Sequence, residues 1–202
     1  MWGLVESGSI TKLINKPKGL VIGDTRHSRK IFELWSKSEL EAIGIYEVEF
    51  DNTNKKDEQW YINTNQSFAF ADGKITASYG TATAKAHADT LFTAQDETDG
   101  KGTEGEVKTR GLKYNLIQTI KKQAAGILQD TDWYIIRKAD AGTAVPSSIT
   151  NHRAAVRTKA AEMETAITNA ADTPALETLY TYTEQEDGST TRPLGELPRL
   201  NS

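Results

Sequence analysis

Twelve consecutive residues, Gln95-Asp96-Glu97-Thr98-Asp99-Gly100-Lys101-Gly102-Thr103-Glu104-Gly105-Glu106, carry no apolar side chain. The hydrophobic period of the chain changes across them. Before them apolar residues alternate with polar ones, as in half-buried strands; after them they recur at helical spacing. A segment without apolar groups has nothing to offer a core, so residues 94–106 are expected to form an acidic flexible loop or linker. The chain then reads as α+β: a small antiparallel β-rich domain over 1–93, an α-helical hairpin module over 107–180, and a polar tail over 181–202 that orders only against a partner.

Local signals fill in both blocks. Trp2, Leu4 and Glu6 with Leu13, Ile14 and Lys16 suggest two strands around Glu6-Ser7-Gly8-Ser9. Ser36 or Ser38 can cap a short helix carrying Leu40, Ala42 and Ile43, which Gly44 stops. In Ile45 to Phe50, Tyr46, Val48 and Phe50 share one face and Glu47 and Glu49 the other. Gln59 to Ile62, Ser67 to Phe70 and Lys74 to Tyr79 look like a meander, with Asp72-Gly73 as a type I′ hairpin turn. In the second block, Leu112, Leu116, Ile117, Ile120, Ala124, Ile127 and Leu128 lie on one face of a helix from about Val107 to Gln129. Trp133 to Lys138 forms a short helix or turn ended by Gly142. A helix opening at Pro146 carries Ile149, Val156, Met163 and Ala170, each seven apart, as a narrow apolar seam. Asp172 or Thr173 with Pro174 opens a last helix holding Leu176 and Leu179.

Composition removes several classes of function. The chain has 202 residues, room for one ordinary domain or two small ones. It has no cysteine, which excludes disulfide frameworks, zinc ribbons, iron–sulfur clusters and thiol nucleophiles. His27, His87 and His152 are far apart, so a histidine-based metal site is not expected. The longest apolar runs are pieces such as Leu20-Val21-Ile22, too short to span a bilayer, and the start of the chain has no signal-peptide pattern. Residues 1–106 hold 12 basic and 17 acidic side chains, and residues 107–202 hold 12 and 11. Neither half has the positive excess of a protein that grips phosphates, so nucleic acid is not an expected partner.

The motifs that resemble chemistry have plainer explanations. Gly100-Lys101-Gly102-Thr103-Glu104-Gly105 matches GxGxxG, but an acidic run precedes it where a buried strand is needed, and Glu104 and Glu106 would repel a pyrophosphate. Asp24, His27 and Ser28 contain the atoms of a hydrolytic triad, yet sit too close in sequence to converge as one. Their surroundings, including Arg26, Arg29 and Lys30, read as a charged surface turn able to contact a carboxylate. Lys108, Arg110, Lys113, Lys121 and Lys122 spread around their helix instead of forming one stripe. No catalytic, cofactor or metal residue is assigned, and the chain is read as non-enzymatic. Of the four tryptophans, an exposed one would mark a protein interface.

Leu128-Gln129-Asp130-Thr131-Asp132-Trp133, then Arg137-Lys138-Ala139-Asp140-Ala141-Gly142, Val145-Pro146 and His152-Arg153-Ala154-Ala155-Val156-Arg157, resembles the C-terminal module of bacteriophage tail-fibre assembly proteins and related tail accessory proteins. Trp35 to Val48 is similar to their segment in which a short helix ends in Gly-Ile/Val-Tyr before a strand. His152 and Val156 stand where that module usually has Tyr and Leu. The resemblance implies a tail protein that binds a fibre and assists its folding, assembly or attachment, found on the virion tail or in the host cytoplasm during assembly. A permanent subunit of the tail, baseplate or fibre is the alternative, and a regulatory adaptor with a nucleic-acid-contacting helix a further one. Trp35, Tyr46, Trp133, Arg26 and Arg29 are the candidate partner-binding residues. Self-association is also open; a membrane partner is not expected.

Overall fold

The computed structural model describes residues 1–200. Both strands and helices are present, the main sheet in the first part of the chain and the long helices in the second, which makes the fold α+β. The chain divides into two compact units, residues 1–83 and residues 84 onward.

The first unit opens with the hairpin β1 (Trp2–Glu6) and β2 (Ser9–Ile14). Ser7 and Gly8 both have positive φ at its turn, the geometry that matches strand twist. A second hairpin, β3 (Leu20–Ile22) and β4 (Thr25–His27), leads to the short helices α1 (Ile31–Leu34) and α2 (Lys37–Ala42). Of the two serines expected to cap α2, Ser36 does so: its hydroxyl accepts from the Glu39 N–H, and the Glu39 carboxylate takes the Ser36 N–H at 2.7 Å. Gly44 then turns the chain with φ of 80°. A Cβ there would lie 2.6 Å from the Val5 carbonyl oxygen, so the position needs glycine on two counts.

β5 (Ile45–Asp51), the two-residue strand β6 (Tyr61–Ile62), β7 (Ser67–Ala71) and β8 (Lys74–Ser78) follow. The five-stranded sheet has the order β2-β1-β5-β8-β7. It is mixed, not antiparallel throughout: β5 and β8 run parallel, and β6 is not one of its strands. The expected meander fails because a local hairpin decides only β7 against β8. Which edge that hairpin joins is decided by long-range packing, and the connection after β5 is long enough to bring β8 back parallel. Asp72 and Gly73 make the expected turn, with φ of 52° and 72°.

Each face of the sheet carries a core cluster. Leu4, Ile14, Leu20, Ile31, Leu40 and Ile45 form one cluster, and Val48, Ile75 and Ala77 with Tyr46, Phe68 and Phe70 the other. Phe50 departs from the expected pattern: it shares the phase of Tyr46 and Val48 but is half exposed.

In the second unit, the two-residue strand β9 (Thr83–Ala84) spans the boundary, and β10 (Thr90–Leu91) pairs with β11 (Val107–Thr109) around α3 (Ala94–Thr98). The long helix α4 begins at Leu112, not at Val107, and ends at Gln129. α5 (Asp132–Ala141), α6 (Ser147–Asn169) and α7 (Thr173–Tyr180) follow, then the small hairpin β12 (Thr183–Glu184) and β13 (Thr190–Thr191). Asp172, one of the two expected caps, accepts the Ala175 N–H at the start of α7.

Three contacts fix α4 antiparallel to α6. Lys113 Nζ donates to the Thr168 carbonyl at 2.8 Å, Lys121 Nζ lies 3.5 Å from Glu164, and Arg153 donates to the Leu128 carbonyl at 2.7 Å. The seam residues Ile149, Val156, Met163 and Ala170 are all buried, as are Ile120 and Ala124 on α4.

Residues 94–106 are not a linker between units. The boundary falls at 83/84, and the segment folds back inside the second unit. What the apolar count missed is a polar anchor. Thr93 caps α3 in a reciprocal box with Asp96, and Lys108 Nζ donates to both Asp96 carboxylate oxygens at 2.8 and 3.0 Å. The Lys108 bond first, then the Thr93 backbone N–H, lower the Asp96 pKa from 3.8 to about 2. Its ionised form is therefore held preferentially by the folded state. That stabilisation is complete above about pH 4 and disappears as the pH falls through 2. Carboxyl chemical shifts followed against pH should place the Asp96 midpoint near 2, and Lys108→Met should return it toward the ordinary range. An unshifted midpoint in the parent chain would remove the anchor from this account.

The polar tail is likewise part of the unit. Leu194 is 2% exposed and its N–H donates to the Leu179 carbonyl on α7 at 3.1 Å.

Candidate functional site: the Trp133 corner

The turn from α4 into α5 is held from the side by one arginine. Thr131 is buried, and its hydroxyl donates to the Leu128 carbonyl at 2.9 Å, closing the last turn of α4. Arg153, from the first half of α6, donates at 2.7 Å to that same carbonyl and at 2.7 Å to Thr131 Oγ1, while its other terminal nitrogen lies 2.8 Å from an Asp132 carboxylate oxygen. The Arg153 side chain is only 11% exposed. The planar fork of guanidinium suits this task, since it can satisfy a carbonyl, a hydroxyl and a carboxylate at once. Asp132, the first residue of α5, also places negative charge at that helix's N-terminus.

Trp133 follows directly and is 48% exposed. Its ring lies 3.8 Å, centroid to centroid, from that of Tyr134, and the Arg137 guanidinium sits 4.7 Å from the Trp133 ring and 5.5 Å from the Tyr134 ring. Ile135 and Ile136 are exposed as well, and α5 buries no residue. The corner thus presents tryptophan, tyrosine and arginine together, the three residue types that dominate protein-interface energetics.

The remaining candidates lie in the first unit. Trp35 ends α1, is 37% exposed, and meets His27 edge-on at 5.7 Å. Arg26 on β4 and Arg29 before α1 are exposed; Arg29 reaches Glu33 only at 4.0 Å, a surface pair worth little. Leu34 and Val21 are exposed nearby in the chain, 74% and 59%, and were not singled out from sequence. Tyr46 does not join a surface: it is half-buried on the second core cluster, 4.7 Å from the Phe70 ring. Trp133 belongs to the other unit.

Neither catalytic-looking motif assembles. Ser28 Oγ accepts the Lys30 N–H, and His27 packs on Trp35. Gly100 to Gly105 is followed by strand β11, not by a helix N-terminus, and Gly102 lies against the Phe92 ring. Among the described residues no group of three or more His, Asp or Glu side chains could hold a metal, and no helix is long and apolar enough to cross a membrane.

Arg153 is the residue the sequence reading left without a role. Its signal was its place in the His152-Arg153 step of the resemblance, where an arginine on a mostly exposed helix turn has no evident partner until the Thr131-Asp132 corner is folded beside it. No family model, curated protein or solved structure matches the chain.

Proposed function

We propose that this chain is a non-enzymatic bacteriophage tail protein that binds a tail fibre and assists its folding, assembly or attachment. The observation that carries the reading is the Trp133 corner: a large aromatic held in the open by a buried three-way arginine clamp, in the stretch that resembles tail-fibre assembly proteins. Keeping a half-exposed tryptophan on a rigid mount makes sense as binding-site construction, because a preordered anchor loses little conformational freedom on association. In this reading α4 and α6 are the two arms of a helical hairpin whose buried seam supports the corner, and the fibre is the partner. Catalysis plays no part.

Co-expression with the neighbouring fibre gene tests the proposal. The fibre should fold and trimerise with this protein and fail without it; equal yields of trimer in both cases would refute it. Recovery of the chain at fixed copy number in purified virions, with no effect on fibre folding, would replace assistance by permanent membership of the tail. Trp133→Ser separates binding from stability. Because the ring is half exposed, the substitution should cost less than about 1 kcal/mol of folding stability. It should cost roughly tenfold or more in fibre affinity if Trp133 is an anchor. Unchanged affinity with unchanged stability would move the binding surface elsewhere.

A further inference from the structure

Arg137, Arg153 and Arg192 are the partly buried arginines among the described residues of the second unit. Two of them hold a carboxylate: Arg153 lies 2.8 Å from Asp132, and Arg192 Nε 2.7 Å from Glu196. Arg137 holds none. It makes no hydrogen bond or ion pair among the described residues, and its Nε is buried without a partner. Its contacts are the rings of Trp133 and Tyr134, four and three residues earlier on α5, the spacing that brings side chains together on a helix. Aromatic faces attract a cation but are weak hydrogen-bond acceptors. The guanidinium is therefore held in place while its donors stay unmet. Its terminal nitrogens, unlike Nε, keep contact with solvent and are open to an incoming acceptor.

Trp133, Ile136, Arg137 and Asp140 follow the i, i+3, i+4, i+7 spacing of one helix face. Ile136 is 67% exposed. The face thus offers an aromatic ring, an aliphatic side chain, an unpaired cation and, one turn beyond that cation, an acid. A complementary occupant brings an apolar group for Trp133 and Ile136 and a carboxylate for Arg137. A stacked guanidinium presents its in-plane N–H edge, which suits the two oxygens of one carboxylate. A side-chain carboxylate fits better than a chain terminus, because capture of a terminus uses a nest of free backbone N–H groups. Past its first turn α5 is a regular helix whose N–H groups are already bonded. A phosphate backbone fits worse, since Asp132 and Asp140 stand on either side of Arg137 in the helix and would repel it.

We infer that the Trp133–Arg137 face of α5 recognises an aspartate or glutamate side chain flanked by an apolar residue on its protein partner, and that Arg137 sets this specificity. The inference rests on the proposed function for the choice of this corner as a binding surface.

Selection of a random library of C-terminally amidated peptides on the full chain is the test. Enriched sequences should carry a carboxylate beside an apolar residue. One of them, resynthesised, should shift the Trp133 indole N–H resonance, assigned by its loss in Trp133→Phe. Replacing its carboxylate by the amide should weaken binding at least tenfold. Arg137→Gln should lose the same factor and no longer distinguish acid from amide. Arg137→Glu should reverse the preference, favouring lysine in place of the acid. Asp140→Asn should strengthen binding severalfold by removing a like charge. Should Arg137→Glu melt early, Arg137→Lys gives a second readout: it keeps the charge without the planar fork, so it should still prefer acid to amide while binding more weakly.

Any of four outcomes would overturn the proposal: no enrichment, enriched sequences without an acid, a bound peptide that leaves the Trp133 resonance unmoved, or an unchanged preference in folded Arg137→Glu. Tighter binding of free-acid peptide termini or of a single-stranded oligonucleotide would do the same. The two readings fail separately. A fibre that folds without this protein leaves the peptide results standing, and a fibre bound through Trp133 equally well by Arg137→Glu would remove the specificity and keep the function.

Discussion

Val156→Asp should unfold the helical unit. Val156 has no exposed surface and sits in the middle of the α6 seam, between Ile149 and Met163, on the helix that packs along α4 with Ile120 and Ala124 buried there. A carboxylate at this position has no cation built to meet it: Lys121 is engaged with Glu164, and Arg153 with the α4–α5 corner. Leaving a polar group buried without a partner and losing the valine contacts together cost about 4 kcal/mol or more. Domains of this size have only about 5–15 kcal/mol of stability in total. Thermal melting followed by helical circular dichroism should show the main helical transition lost or moved by tens of degrees. Val156→Ala, which removes two methyl groups and adds no charge, should cost about 2 kcal/mol. A Val156→Asp chain that melts within a few degrees of its parent would mean that the seam is not packed.

Arg153→Met should be the next most damaging change, by about 3 kcal/mol. The substitution keeps much of the apolar stem, so the loss reports the guanidinium. Two of its bonds, to the Leu128 carbonyl and Thr131 Oγ1, are partly buried, and hydrogen bonds from a charged donor contribute about 1.5–3 kcal/mol. The third, to Asp132, faces a carboxylate that is half exposed; solvent screening holds its share to about 1 kcal/mol or less. A double-mutant cycle divides the total. Thr131→Val should couple strongly to Arg153→Met, and Asp132→Asn weakly. Strong coupling to Asp132 with none to Thr131 would reverse the roles of clamp and cap. If the proposed role at the Trp133 corner holds, Arg153→Met should also weaken binding of the proposed fibre partner with Trp133 itself intact, because the clamp orients α5.

The contrast between these two sites shows what a sequence makes legible. The α6 seam could be read because a repeat of seven is a local property of one helix, and burial follows from it. A serine cap for α2, at Ser36 or Ser38, and the Asp72-Gly73 turn could be read for the same reason: each is complete within a few residues, whereas the Glu39 half of the cap was not read. The parallel alignment of β8 on β5 could not, because Val48 meets Ile75 only once the whole connection between them is laid down. Residues 94–106 misled for a different reason. Counting apolar groups measures what a segment can give to a core, and this one is held by Asp96 through a lysine twelve positions away. The partner surface was legible in part. Trp133 is exposed, but nothing local distinguishes it from Tyr46, whose ring turned inward onto Phe70. Arg153 was hidden altogether, since its three partners lie 21 to 25 residues earlier in the chain.

The hydroxyl of Thr173, at the start of α7, donates to the Lys85 carbonyl at 2.7 Å, across 88 residues, and Thr173 is almost fully buried. This one bond joins the beginning of the second unit to its last helix and imposes an order of assembly. Closing a flexible loop of that length from an unstructured chain costs about 4 kcal/mol, more than a single hydrogen bond returns. The clasp can therefore form only after the pairing of α4 with α6 has shortened the path between its ends. On a growing polypeptide residues 86–89 are tied early to the start of α4, through the Leu112 and Lys113 N–H groups and Asp89, and the clasp to α7 comes last. The docking of α7 becomes the step that completes the unit, and contacts this distant in sequence slow its arrival at the native state.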